Sequence, residues 1–194
     1  MKPVVILGIV IVGLIAAFSG CSSYNGFVNK DTVVEQAWSN VQSAYQRRAD
    51  LVPNLVATVK GAANFEQETL TGVAEARAKA TSIQVDPTNL TPEKLAEFQS
   101  AQSGLSQALG KLLMVTENYP ELRATESFKE LQSQLEGTEN RIKVERDKFN
   151  AAVADYNNSV RRFPANFWAG LFGFDRKTPF EADQGAQNVP KVEF

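Results

Sequence analysis

RRADLVPNLVATVK, residues 47–60, interrupts an apolar helical stripe with charges, a proline and an amide. The stripe runs Val34, Trp38, Val41, Tyr45, Arg48, Val52, Leu55, Val59, stepping alternately by four and three residues. That is the spacing of one buried helix face. Arg48 falls in the seam, where an aliphatic side chain is expected. Pro53 removes the backbone donor that would reach the Ala49 carbonyl, yet the stripe keeps its register across it. The expectation is a kinked helix rather than a broken one.

Outward from this stretch, the inventory narrows the function. The chain has 194 residues, 43% hydrophobic and 22% charged, which suits one domain plus a small appendage. A net charge of −2 gives no electrostatic case for nucleic acid as a partner. Histidine is absent and Cys21 is the single cysteine. Disulfide frameworks and Cys/His zinc sites are thereby excluded. So is Ser-His or Cys-His catalysis within the chain. Proline and glycine cluster at a few joints, which favours long helices over many short strands.

Residues 1–23 read as a signal peptide or transmembrane anchor. Lys2 is followed by Pro3 to Ser23 without a charge, with an apolar heart from Val4 to Phe18. Phe18-Ser19-Gly20-Cys21 resembles a bacterial lipoprotein cleavage site, with Phe18 where leucine is usual. Cys21 is therefore a lipidation candidate. Its alternative is a buried thiol in an uncleaved anchor. Either way the chain is tied to a membrane. Lys2 should stay cytoplasmic, leaving the body on the outer, periplasmic or extracellular, face.

The body reads as helices over residues 24–164. Asn29 and Asp31 are capping candidates for a first helix that Lys60-Gly61 ends. Asn64 is expected to cap a second, with Leu70, Val73, Ala76, Ala80 and Ile83 on its apolar face. Val85 to Leu90 is a loop. Thr91-Pro92-Glu93 starts a third helix, carried by Leu95, Phe98, Leu105, Leu109, Leu112 and Val115, and Tyr119-Pro120 ends it. Thr125 caps a fourth, whose seam runs Phe128, Leu131, Leu135, Thr138, Ile142, Glu145, Phe149, Val153, Tyr156, Val160, Phe163. The expected fold is all-α: an antiparallel up-and-down four-helix bundle of long helices, preceded by the hydrophobic anchor. Residues 165–181 form a hydrophobic C-terminal segment, and polar residues 182–194 are expected to be a disordered tail.

Several short motifs then carry a resemblance. Tyr24-Asn25, residues 47–60, Glu117-Asn118-Tyr119-Pro120-Glu121-Leu122, Glu139-Asn140-Arg141-Ile142, Phe149-Asn150, Tyr156-Asn157 and Phe163-Pro164 together resemble the LemA family, from about Tyr24 to Phe180. The resemblance implies a bacterial helical-bundle protein anchored near its N-terminus. It implies association with the cell envelope or, for some members, with intracellular membrane organelles. It brings no established biochemical activity. The family's usual anchor is a plain transmembrane segment, so Cys21 is a departure.

Candidate functional residues fall into two groups. Arg47, Arg48, Asp50, Asn54 and Lys60 form a polar set in or beside the first helix's seam. Arg48 could hold an anion with its fork of donors. The favoured reading is that it bonds a carboxylate on the fourth helix, Glu139 or Glu145, and fixes helix register. Bundle di-metal sites use Glu-x-x-His pairs, so the glutamates here imply no metal, and no cofactor is expected. Phe167, Trp168, Leu171 and Phe172 share one face of a short helix and are candidates for membrane contact. The competing reading has these rings cover the open end of the bundle. The function expected is a membrane-anchored, non-enzymatic scaffold or interaction protein of the bacterial cell envelope. The alternative is an accessory or regulatory subunit of a membrane enzyme or transporter, acting through the Arg48 region. Expected partners are the membrane and envelope proteins of unknown identity, and a homo-oligomer is compatible with the sequence.

Overall fold

An uncharged apolar run leads into an amphipathic stripe with no proline between Pro3 and Pro53, so nothing obliges the chain to leave the helix. The computed structural model describes residues 3–61 and 66–181. In it α1 is one unbroken helix, Pro3–Lys60, 58 residues long and passing through Pro53. The expected start at Asn29 or Asp31 is therefore corrected: anchor and first bundle helix are a single rod. Asp31 is occupied instead by an ion pair with Lys177, Nζ to Oδ1 at 2.5 Å. All eight positions of the founding stripe, Arg48 included, are buried.

The remaining elements are also helical, and the described residues contain no strand. They are α2 (Gln67–Ser82), a 3-10 turn (Pro87–Asn89), α3 (Pro92–Thr116), α4 (Pro120–Ala124), α5 (Glu126–Arg161) and α6 (Ala165–Phe172). Thr91 caps α3 by accepting from the Lys94 amide, and Thr125 caps α5 by accepting from the Phe128 amide. Three expectations need correction. Helix α2 starts at Gln67 rather than Asn64, which lies outside the described residues, as does the tail 182–194. Pro120 does not merely end α3: at the first helical position it opens the short α4. Helix α5 stops at Arg161, so Phe163 leaves the seam and is 89% exposed.

Antiparallel pairing follows from the side-chain bridges. Lys30 pairs with Asp155, Trp38 meets the Phe149 ring, and Arg48 pairs with Glu139, so α1 runs against α5. Arg77 Nε donates to the Ala49 carbonyl at 2.8 Å, and Trp38 Nε1 to the Val85 carbonyl at 3.1 Å, so α2 runs back along α1. Gln102 Nε2 donates to the Ala80 carbonyl, joining α3 to α2. Helices α3 and α5 lack the extensive backbone contact that α1 and α5 share. A groove separates them, and the chain's own C-terminal segment enters it.

The buried apolar side chains form two clusters. One contains Phe27, Trp38, Tyr45, Phe98, Phe149, Tyr156 and Phe180 and lies toward the anchor. The other contains Val52, Leu55, Val59, Leu105, Leu109, Leu112 and Phe128 and lies at the far end. Arg48 sits between them.

Candidate functional site

The seam position of Arg48 puts its guanidinium at the junction of α1, α3 and α5, with 1% of the residue exposed. One terminal nitrogen donates to Ser106 Oγ at 2.5 Å and to Glu139 Oε1 at 2.9 Å. The other donates to the Gln102 carbonyl at 3.0 Å and to Gln102 Oε1 at 2.7 Å. Its carbon lies 5.0 Å from the Tyr45 ring centroid. Only Nε is buried without a hydrogen-bond partner among the described residues. Four of five donors are thus taken by acceptors on two helices, α3 and α5. A shift of either helix by one turn would leave this cation short of partners. A cavity of about 220 Å³ beside it is lined by Gln99, Gln102, Ser103, Ser106 and Gln107.

The rest of the polar set does not converge on Arg48. Arg47, Asp50, Asn54 and Lys60 are exposed on α1. Asp50 accepts from Gln46 one turn earlier. Arg47 lines a shallow groove with Arg141, between α1 and α5. Glu139, one of the two carboxylates expected for Arg48, is its partner. Glu145, the other, is 1% exposed and accepts from Arg141 Nε at 2.8 Å and Lys148 Nζ at 3.0 Å on its own helix. Its Oε2 is buried without a hydrogen-bond partner among the described residues.

Sequence reasoning missed a second polar device. After Gly173, left-handed at φ 76°, the chain is extended and climbs α5 as a strap. Asn157 donates from Nδ2 to the Lys177 carbonyl at 2.8 Å and accepts the Lys177 amide at 2.9 Å. Asn150, two turns away, treats Phe180 likewise, at 3.3 and 2.8 Å. Each amide side chain thereby imitates a β-ladder partner for the strap. Tyr156 donates to the Asp175 carbonyl at 2.9 Å. Burial, with Asp31 and Asp175 nearby, pushes the Tyr156 phenol up to about 12. The Phe180 ring is buried, stacked on Trp38 at 5.7 Å and edge-on to Phe149 at 5.4 Å, with Arg146 over it at 4.9 Å. The signal in the sequence was the repeated aromatic-Asn pair, 149–150 and 156–157. Its ring enters the core and its amide faces the groove.

At the other end of the strap, α6 lies against α1 just past the apolar run that ends at Phe18. Gly20 is buried under the Trp168 ring. A β-carbon there would sit 3.3 Å from the indole, so glycine lets the ring close on the helix. Tyr24 meets Phe172 and Phe174 edge-on. The four membrane-contact candidates therefore divide. Trp168 is half-buried on α1, and Phe172 leans on Tyr24 while keeping an exposed edge. Phe167 and Leu171 stay 65% and 64% exposed. Phe163, just before α6, is also exposed. Cys21 is exposed on α1 with a free thiol, not buried as the uncleaved-anchor alternative has it, because α6 packs on Gly20 and Tyr24 and leaves Cys21 outside.

The sequence profile of the LemA family matches residues 37–194. The chain belongs to the LemA family. This LemA-family chain is 27% identical over 186 residues to Magnetosome protein MamQ 2 of Paramagnetospirillum magneticum, spanning 87% of this chain and 68% of the relative. It is 26% identical to Magnetosome protein MamQ of Magnetospirillum gryphiswaldense, with the same coverage. Protein LemA of Metamycoplasma hominis is 25% identical over 160 residues, spanning 82% of this chain and 69% of the relative. The family match begins at Ala37, inside α1, and takes in the Arg48 junction, both asparagine clamps and α6. Helix α1 is long and apolar enough near its N-terminus to cross a membrane.

Proposed function

We propose that this protein is a non-enzymatic, membrane-tethered scaffold of the bacterial cell envelope. Helices α1, α2, α3 and α5 act as an up-and-down four-helix bundle standing on the bilayer. The observation that carries the reading is the continuity of α1. One helix passes from an exposed, uncharged segment into the buried seam, so the tether is rigid and the body has a defined height above its anchor. Helix α6, packed at the junction, turns Phe167 and Leu171 outward at that level. The positive Lys2 favours a body on the outer face. In this reading the anchor stays uncleaved, since acylation at Cys21 would remove residues 1–20 and replace the helix by a lipid. The Arg48 junction supports a structural role, because four of its five donors are already taken by α3 and α5. Envelope proteins would meet the far tip, where Asn118, Tyr119, Pro120 and Glu121 border a concavity of about 770 Å³ with Ala57 and Thr125.

Capture of the full chain from detergent-solubilised membranes tests this. Self-assembly or several substoichiometric partners are expected. A single catalytic subunit recovered at one-to-one stoichiometry would contradict the scaffold and make the chain an accessory subunit.

A further inference from the structure

Helix α6 presents a third face, and it opens on a cleft. Asn166, Ala169 and Gly170 border a concavity of about 440 Å³ between α6, the end of α5 and the start of the strap, together with Arg161, Asp175 and Arg176. Arg48, Arg77 and Arg141 each hold a defined acceptor. Arg161 and Arg176, by contrast, are exposed and have no hydrogen bond or ion pair among the described residues. Two cations thus face one carboxylate across the cleft. Such a surplus of guanidinium donors beside an amide fits the oxygens of a phosphate.

Depth decides whose phosphate it is. Residues 3–23, apolar as far as Phe18 and then small or polar, span about 30 Å as a helix, the thickness of a hydrocarbon core. Trp168 of α6 packs on Gly20 and Phe172 on Tyr24, so the cleft lies where that span ends, at headgroup level. The exposed Phe167 and Leu171, one turn apart on α6, are available to meet acyl chains. We propose that this cleft binds the phosphate of an anionic phospholipid, held by Arg161 and Arg176 with Asn166, while its chains lie on Phe167 and Leu171. The proposal rests on the membrane-surface reading of α6 and adds a discrete, charge-selective lipid site to it.

The test uses the full chain in a neutral detergent, titrated with short-chain phosphatidylglycerol and followed by native mass spectrometry. Phosphatidylcholine of equal chain length and inorganic phosphate are the comparison arms. One phosphatidylglycerol is expected to be retained saturably. Phosphatidylcholine and inorganic phosphate should be held at least roughly tenfold more weakly, for want of net negative charge in one and of apolar contact in the other. Arg161→Gln with Arg176→Gln should weaken retention about thirtyfold, each cation near a lipid surface being worth roughly fivefold. Gly170→Glu should weaken it too. A β-carbon there meets no atom within 4 Å, so the carboxylate enters the cleft without disturbing the packing. Equal retention of the two lipids, full binding of inorganic phosphate alone, or unchanged retention in Gly170→Glu would each overturn the site. Oxygen accessibility at position 167 in bilayers reports separately on whether α6 meets lipid at all. Lipid exposure there without selective retention removes the site and leaves the membrane-surface reading standing.

Discussion

The two ends of the bundle are packed by different means. Toward the anchor the core is built from rings: Phe27, Trp38, Tyr45, Phe98, Phe149, Tyr156 and Phe180. The strap is bolted over them through Asn150 and Asn157. At the far end the core is Val52, Leu55, Val59, Leu105, Leu109 and Leu112, aliphatic side chains on α1 and α3 with Phe128 from α5. The Arg48 junction divides the two. Rings give large, edge-to-face contacts that resist sliding, and the strap adds backbone-like hydrogen bonds to them. Aliphatic packing is less directional. The difference makes the end beside the apolar segment the more firmly fixed of the two.

Breaking the divider should have the largest effect. Arg48→Ala leaves Glu139 and Gln102 without their cation and should cost about 3–5 kcal/mol. A thermal melt of the full chain in detergent checks it, and an unchanged midpoint would remove Arg48 as the register device. Phe180→Ala comes next, at about 3 kcal/mol for a buried ring. Hydrogen exchange should show the loss concentrated in α5 and in α1 around Trp38, with α3 near Leu109 spared. Uniform loss at both ends would erase the distinction between them. Asn150→Ala and Asn157→Ala should each cost about 1–2 kcal/mol, since each removes two hydrogen bonds to the strap. The smallest effect is the sharpest in pH. Tyr156 has a folded value near 12 against an ordinary value near 10. Its neutral form is therefore favoured by folding. That contribution is complete below pH 10 and is lost as pH rises through 12. Ultraviolet titration should show one tyrosine ionising near pH 12. That component should vanish in Tyr156→Phe.

Much of this architecture was legible, for identifiable reasons. The stripe on α1 fixed its own buried face, and Arg48 in its seam announced a partner on the fourth long helix, which is Glu139. The caps at Thr91 and Thr125 stand where the sequence puts them, because a hydroxyl before a helix start is local chemistry. The joint at residues 29–31 was misread. A capping residue does not end a helix whose backbone is already satisfied on both sides, and Asp31 spends its carboxylate on Lys177. The strap was invisible to periodicity, because its bonds come from asparagine side chains of a distant helix rather than from a ladder. The split of α6 into a packed and an outward face was equally hidden. It depends on Gly20 lying opposite Trp168, a contact between residues nearly 150 positions apart.

The central claim, that one rigid helix sets the bundle on the bilayer with α6 at its surface, is open to direct measurement. Spin labels can be placed singly at positions 163, 167, 171, 177 and 181 of the full chain, in a Cys21→Ser background, and the protein reconstituted into bilayers. Relaxation by lipid-soluble oxygen against a water-soluble nickel complex then reports depth. Positions 163, 167 and 171 should favour oxygen, while 177 and 181 should favour nickel or be shielded from both. Nickel accessibility at 163, 167 and 171 equal to that of an exposed site on α3 would contradict the account.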